Sequence, residues 1–457
     1  MAGYDFSRTP KAVPTVETRH RRIATAIPAP GTEAILAEMD EFESRSMHGQ
    51  LPLVWDKALD YNVFDIAGNK WIDFTSTIFV TNIGHTNAHL AASLRKELDS
   101  QLLHTYAYGS RIRARYLHRL IEFAGPPFEK AFLLSAGTEA TEAALKLMRM
   151  NGQKAGKRKP GVICIEGNWH GRTMGAQMMS SNVQQKEWIG FQDPNMHHIP
   201  FPYPWVLGER SGRDMLEESL GGLKAAGVDL AQDVCGFMLE TFQGWGAVFY
   251  PDDYVQAIAE LCKRHGILLA FDEMQAGFAR TGKAFGFQHY GVEPDLIAVG
   301  KGMGSGLPVS GVLGRAAIMD LPEIGNMSST HSANPLICAA GLATLDEIEN
   351  RSLIAESARK GAILHAELGK LRQLFPERVR TILGRGMIAG LIMNDTKSMP
   401  AGEFGSRVSE LCMQRGVLVV HTGRESIKFG PPLTMPDDAI VEGVTVLADA
   451  MRDVDGA

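Results

Sequence analysis

Ile267-Leu268-Leu269-Ala270-Phe271-Asp272-Glu273-Met274-Gln275-Ala276-Gly277 holds five apolar residues in a row and then two acids. A run of that length is short for a helix. Apolar on both faces, it fits a strand buried in the middle of a parallel sheet. Asp272 then falls at the carboxyl end of the strand, the edge at which open α/β sheets place their ligands. A carboxylate there is costly unless a cation or hydrogen-bond donors meet it.

The same short apolar signature recurs at residues 131–134, 161–165, 236–239 and 296–299, with helical stretches between. Residues 76–340 therefore read as a large α/β domain with a mainly parallel sheet flanked by helices. Before it, Ile35, Leu36 and Met39 recur at helical spacing within 32–45. Residues 63–66, a Gly68-Asn69 turn and residues 71–74 read as a β-hairpin. After it come a helix-rich stretch to about residue 374 and strands at 386–393 and 417–420. The expected division is 1–75 as an N-terminal contribution to a small domain, 76–340 as the large domain, and 341–457 as the rest of a small α+β domain.

Composition narrows the function classes. The chain has 457 residues and a net charge of −6, against the basic face that polyanion binding requires. No apolar run approaches the ~20 residues of a spanning helix. Five scattered cysteines form no C-x-x-C pair, which argues against a disulfide framework and a thiolate metal site. Residues 1–8 carry no apolar leader. The expectation is a cytoplasmic protein with no metal, nucleic-acid or membrane partner.

Four further features carry chemistry. Gly277 to Lys283 imitates a phosphate-binding P-loop, but Ala284 lacks the hydroxyl that would hold Mg²⁺, and the acidic strand precedes the loop directly. Ser135-Ala136-Gly137-Thr138 follows a strand and opens a helix, where backbone N–H groups and the helix dipole attract an anion. Trp169 and His170 follow the strand 161–165 and offer a ring face at the same edge. Lys301, between Gly300 and Gly302 at the end of strand 296–299, is placed to be a desolvated amine able to form a Schiff base. An anion cup, an aromatic platform, a buried carboxylate and a strand-end lysine together match pyridoxal 5′-phosphate.

With those motifs in view, the chain resembles the class III pyridoxal-phosphate-dependent aminotransferases of fold type I, from about Val54 to Pro436. The resemblance rests on Asn82-Ile-Gly-His85, residues 135–144, Trp169-His-Gly-Arg-Thr173, residues 271–282, Pro294-Asp-Leu, Gly300-Lys-Gly, Thr330-His-Ser-Ala-Asn-Pro335 and Lys428-Phe-Gly-Pro-Pro-Leu433. It implies that Lys301 forms the Schiff base and shuttles the proton, and that Asp272 pairs with the pyridine nitrogen. It also implies that Trp169 and Met274 cover the two ring faces and that Gln275 lies near the phenolic oxygen. Gly137 and Thr138 would bind the phosphate, with His170 counted among the cofactor residues. Thr330 would complete the neighbouring subunit's phosphate site, so a homodimer is implied. The implied activity is ping-pong transfer of an amino group from an amine or amino acid to a 2-oxo acid or other carbonyl. Racemisation or epimerisation by the same family is the alternative, and cofactor binding without turnover a third reading.

Two departures bear on the substrate. Many members carry Arg where this chain has Lys428, and a second acid where it has Trp245 in Glu240-Thr-Phe-Gln-Gly-Trp245. Lysine binds a carboxylate as a point charge and cannot form the bidentate fork. The expectation is a pocket for a bulkier or more apolar amine, with Phe79, Trp245 and Lys428 as substrate-binding residues.

Overall fold

A computed structural model describes residues 4–456 of the chain. The chain divides into two compact units. One comprises residues 88–244 and 248–354, the other residues 1–87, 245–247 and 355–457.

The first of these units is built on a seven-stranded sheet. Its order is Lys130–Leu134, Ser310–Gly314, Leu296–Val299, Leu268–Asp272, Val234–Glu240, Gly161–Ile165 and Met196–Ile199. Ser310–Gly314 runs antiparallel to both neighbours and every other pairing is parallel. Six strands therefore point one way, and their carboxyl ends share one edge. Four of the apolar runs expected from the sequence are central strands here, buried along their whole length. The helix Gly137–Lys154 lies on this sheet, and its Ala140, Ala144, Leu147 and Met148 share a core with Val162, Met238 and Ala298.

The second unit holds two sheets. The expected hairpin is present: Asn62–Asp65 pairs antiparallel with Lys70–Asp73, with Val63 opposite Trp71. Val417–Leu418 joins this sheet parallel to Lys70–Asp73. Val379–Arg385, Ile388–Met393, Ser426–Phe429 and Val420–His421 form a second, antiparallel sheet. The run 417–420, read as one strand, is thus two: Val417 and Leu418 serve one sheet, Val420 and His421 the other. Among the described residues no helix is long and apolar enough to cross a membrane, no acid–His–Cys group could hold a metal, and all five cysteines are unpaired and buried.

Candidate active site

The parallel register sets the site. Asp272 lies opposite Glu240 on one side and Ala298 on the other, so Lys301 follows two residues past the end of the adjacent strand. Asp272 is 5% exposed. Its Oδ2 lies 3.0 Å from His170 Nδ1, and its Oδ1 accepts the Met274 N–H at 3.0 Å. Lys301 sits at φ 44, in the left-handed region. Burial drives its amine below the usual lysine range, and the nearby Asp272 and Glu240 charges only partly offset that.

His170 is fixed by its main chain as well. Its N–H donates to Ser180 Oγ at 2.9 Å and its carbonyl accepts from Thr141 Oγ1 at 2.7 Å. The neighbouring Trp169 is partly exposed, with the Arg172 guanidinium 4.5 Å from its ring centre. Met274 packs where two glycines permit it. A Cβ on Gly137 would stand 2.9 Å from its sulfur, and one on Gly300 2.6 Å. Met274 thereby touches both the anion-cup helix start and the residue before Lys301. Gln275 lies beside Gly244 and Glu240, since a Cβ on Gly244 would fall 2.6 Å from its Nε2. The structure thus brings Gly137, Thr138, Trp169, His170, Asp272, Met274, Gln275 and Lys301 to one sheet edge.

Thr330 stands apart. It is exposed, and its carbonyl accepts from His104 Nε2 at 2.7 Å. The three substrate candidates belong to the other unit. There Lys428 is 4% exposed with Nζ 4.3 Å from the Phe79 ring centre. Trp245 takes the Arg424 guanidinium over its ring at 4.2 Å, and its carbonyl accepts from Ser426 Oγ at 2.8 Å. The P-loop imitation is a turn with a buried Arg280, and no α-helix opens after Lys283.

Sequence reasoning passed over Glu240 as a site residue. Its Oε2 accepts the N–H groups of Trp169 at 3.1 Å and Gly244 at 3.3 Å. Burial, aided by the Asp272 charge, pushes its carboxyl up to about 7. The signal was present, because the run before Glu240 is apolar and ends in an acid as the run before Asp272 does.

This donor set fits pyridoxal phosphate. Asp272 keeps lone pairs for a further donor beyond His170 and Met274, a desolvated amine lies within its field, and a helix start and an indole face flank them. The family model for class-III aminotransferases matches residues 44–451. The chain belongs to the class III aminotransferases. A 4-aminobutyrate aminotransferase of Mycobacterium tuberculosis is 30% identical over 95% of this chain and 98% of its own length. An aminotransferase structure from Bacillus anthracis matches at a TM-score of 0.84 and 26% identity, covering 92% of this chain and 98% of its own. A PLP-bound amine transaminase from an uncultivated Pseudomonas species matches at 0.81 and 26%, covering 90% and 97%. Like its family, this class III enzyme uses pyridoxal phosphate to move an amino group from a donor to a carbonyl acceptor. These three relatives are all amino-transfer enzymes by name, which favours transfer over racemisation or epimerisation.

Proposed function

We propose that this aminotransferase works by ping-pong exchange with Lys301 as its catalytic lysine, and that it prefers an amine donor to one clamped through an α-carboxylate. Bound pyridoxal phosphate supplies an electron sink and carries the amino group between half-reactions. Lys301, its ammonium form disfavoured by burial, would hold the cofactor through Nζ, and that Nζ, once displaced by the donor's amine, would carry the proton to and from the substrate carbon. Asp272 would keep a proton on the ring nitrogen, with His170 holding that carboxylate in place. Trp169 and Met274 would cover the ring, Gln275 would serve the phenolic oxygen, and the N–H groups at Gly137 and Thr138 would hold the phosphate.

The observation that carries the substrate reading is the place of Lys428. Its ammonium lies over the Phe79 ring at 4.3 Å, a cation–π contact that already engages the charge. Trp245 stands where a second acid is usual, and Phe79, buried at 2% exposure beneath that ammonium, bears on a donor only through Lys428. The relatives named above span 4-aminobutyrate and amine donors. Lys428→Met keeps the stem over Phe79 and removes the charge. It should change KM for a 2-oxo acid acceptor by less than about threefold. A rise of about a hundredfold at unchanged kcat would show that Lys428 does the arginine's work.

The enzyme acts as a homodimer, with Thr330 completing the neighbour's phosphate site. The exposure of Thr330 supports this, as does an apolar surface around its hydrogen-bond partner His104. Leu102, Leu103, Tyr106 and Tyr108 are 42%, 55%, 43% and 82% exposed, and His104 among them bonds the Thr330 carbonyl. The unpaired cysteines favour a reducing, cytoplasmic setting.

A further inference from the structure

The helix start at Gly137 and the loop after Trp169 are fastened together by a carboxylate. Glu142 lies one turn into the helix Gly137–Lys154 and reaches across to the loop after Trp169. Its Oε1 accepts three bonds: from Thr173 Oγ1 at 2.5 Å, Gly175 N at 2.9 Å and Ala176 N at 3.3 Å. It therefore caps the short helix Met174–Met179 from outside, which Thr173 at the N-cap does not do with its own side chain.

The direction of the hydroxyls follows. Thr173 has one hydroxyl hydrogen, and the Glu142 carboxylate, which accepts only, takes it. The 2.6 Å contact between Thr173 Oγ1 and Thr138 Oγ1 must then be donated by Thr138. Thr138 Oγ1 in turn accepts the Thr173 N–H at 3.3 Å. Its hydroxyl hydrogen is thus turned towards the loop, and what the residue presents at the helix start is its main-chain N–H. The approach is close on the other side as well, since a Cβ on Gly171 would stand 2.3 Å from Thr138 Oγ1. Ser135 N and Ala136 N both donate to Glu139 Oε2 at 2.9 Å, so the cap proper is already occupied.

We infer that Glu142 is a positioning residue for the cofactor's phosphate, acting through Thr173 and Thr138 to set the phosphate end of the cup. This rests on the pyridoxal phosphate reading of the site. The ring-facing part of the same loop is held by other partners. Trp169 N donates to Glu240, His170 N to Ser180, and the His170 ring meets Asp272. Loss of Glu142 should therefore weaken the hold on the phosphate and spare the hold on the ring.

The test compares pyridoxal phosphate with pyridoxal, which lacks only the phosphate, by titrating apoenzyme and reading cofactor absorbance. Glu142→Leu should raise Kd for pyridoxal phosphate about tenfold or more while Kd for pyridoxal stays within about twofold. Glu142→Gln, whose Oε1 can accept the same three bonds, should stay within about threefold of wild type for both. Thr173→Val, which removes the hydroxyl and keeps the N–H, should repeat the selective loss. Equal weakening of both ligands in Glu142→Leu, or weakening of neither, would overturn the role of Glu142 alone. A wild type that binds no pyridoxal phosphate would overturn the cofactor reading and this one with it.

Discussion

Glu240 and Asp272 stand side by side across two parallel strands, both buried, with a third buried acid, Glu273, next in the chain. Three carboxyls at one edge cannot all carry charge cheaply. Burial pushes Glu240 and Glu273 each up to about 7, with the Asp272 charge adding to both. A carboxyl raised in the fold favours the protonated folded state. Its contribution is full below the ordinary value of about 4.3 and is lost as pH rises through about 7. Glu240→Gln keeps an acceptor for Trp169 N and Gly244 N and removes the charge. Relative to wild type, the variant should gain stability as pH rises from about 4.5 to 7.5, by about 1–3 kcal/mol in all. Thermal unfolding of apoenzyme across that range checks it, and a constant gap would count against the raised carboxyl. Asp272 and Lys301 were legible in the sequence because each ends an apolar run. The Thr138–Thr173–Glu142 chain was not, because hydroxyl direction depends on a contact between segments about thirty residues apart in sequence.

The elements that sequence periodicity missed have identifiable physics. Ser310–Gly314 is a central strand with two glycines, which weakens any strand signal. Gly311 is explained by packing, since a Cβ there would lie 2.8 Å from the Phe132 carbonyl. The turn at residues 76–79 is stranger. Ser76, Thr77, Ile78 and Phe79 have φ of 45, 54, 62 and 69, a left-handed turn without a glycine. Such backbone costs on the order of 1–2 kcal/mol per residue, and two β-branched residues gave no warning of it. It is held by Thr75 N to Asp73 Oδ1 at 2.7 Å, Ser76 Oγ to the Gly430 carbonyl at 2.6 Å, and the burial of Phe79 beneath Lys428. The strained backbone thus delivers the side chain that the substrate reading needs. Thr77 is exposed, so Thr77→Gly should relieve strain and stabilise the enzyme by about 1 kcal/mol. Urea unfolding checks this, and a loss of stability would show that the hydroxyl bond from Thr77 Oγ1 to the Ser76 carbonyl outweighs the strain.

At the scale of the whole molecule, the order of motifs along the chain was legible because each closes a strand of one sheet. The three-residue segment 245–247, which belongs with the chain's terminal regions, left no mark in composition. Its place depends on a backbone contact, since a Cβ on Gly390 would fall 2.0 Å from the Gly246 carbonyl. The proposed homodimer makes a sharp prediction of its own. If Thr330 serves the neighbour's phosphate, a mixed dimer of one Lys301→Ala protomer and one Thr330→Ala protomer contains one intact site. Refolding the two variants together should then restore wild-type cofactor affinity in about a quarter of all sites at random pairing. No recovery beyond the separate variants would place Thr330 in its own subunit's site or in none.

The central claim is amino transfer at Lys301. The direct measurement is the visible absorbance of holoenzyme mixed with a panel of amines, followed by a 2-oxo acid. A competent donor should bleach the band of the Lys301-linked cofactor, the acceptor should restore it, and Lys301→Ala should do neither. A wild type that stays colourless with added pyridoxal phosphate, or one whose band no donor in the panel bleaches, would contradict the account.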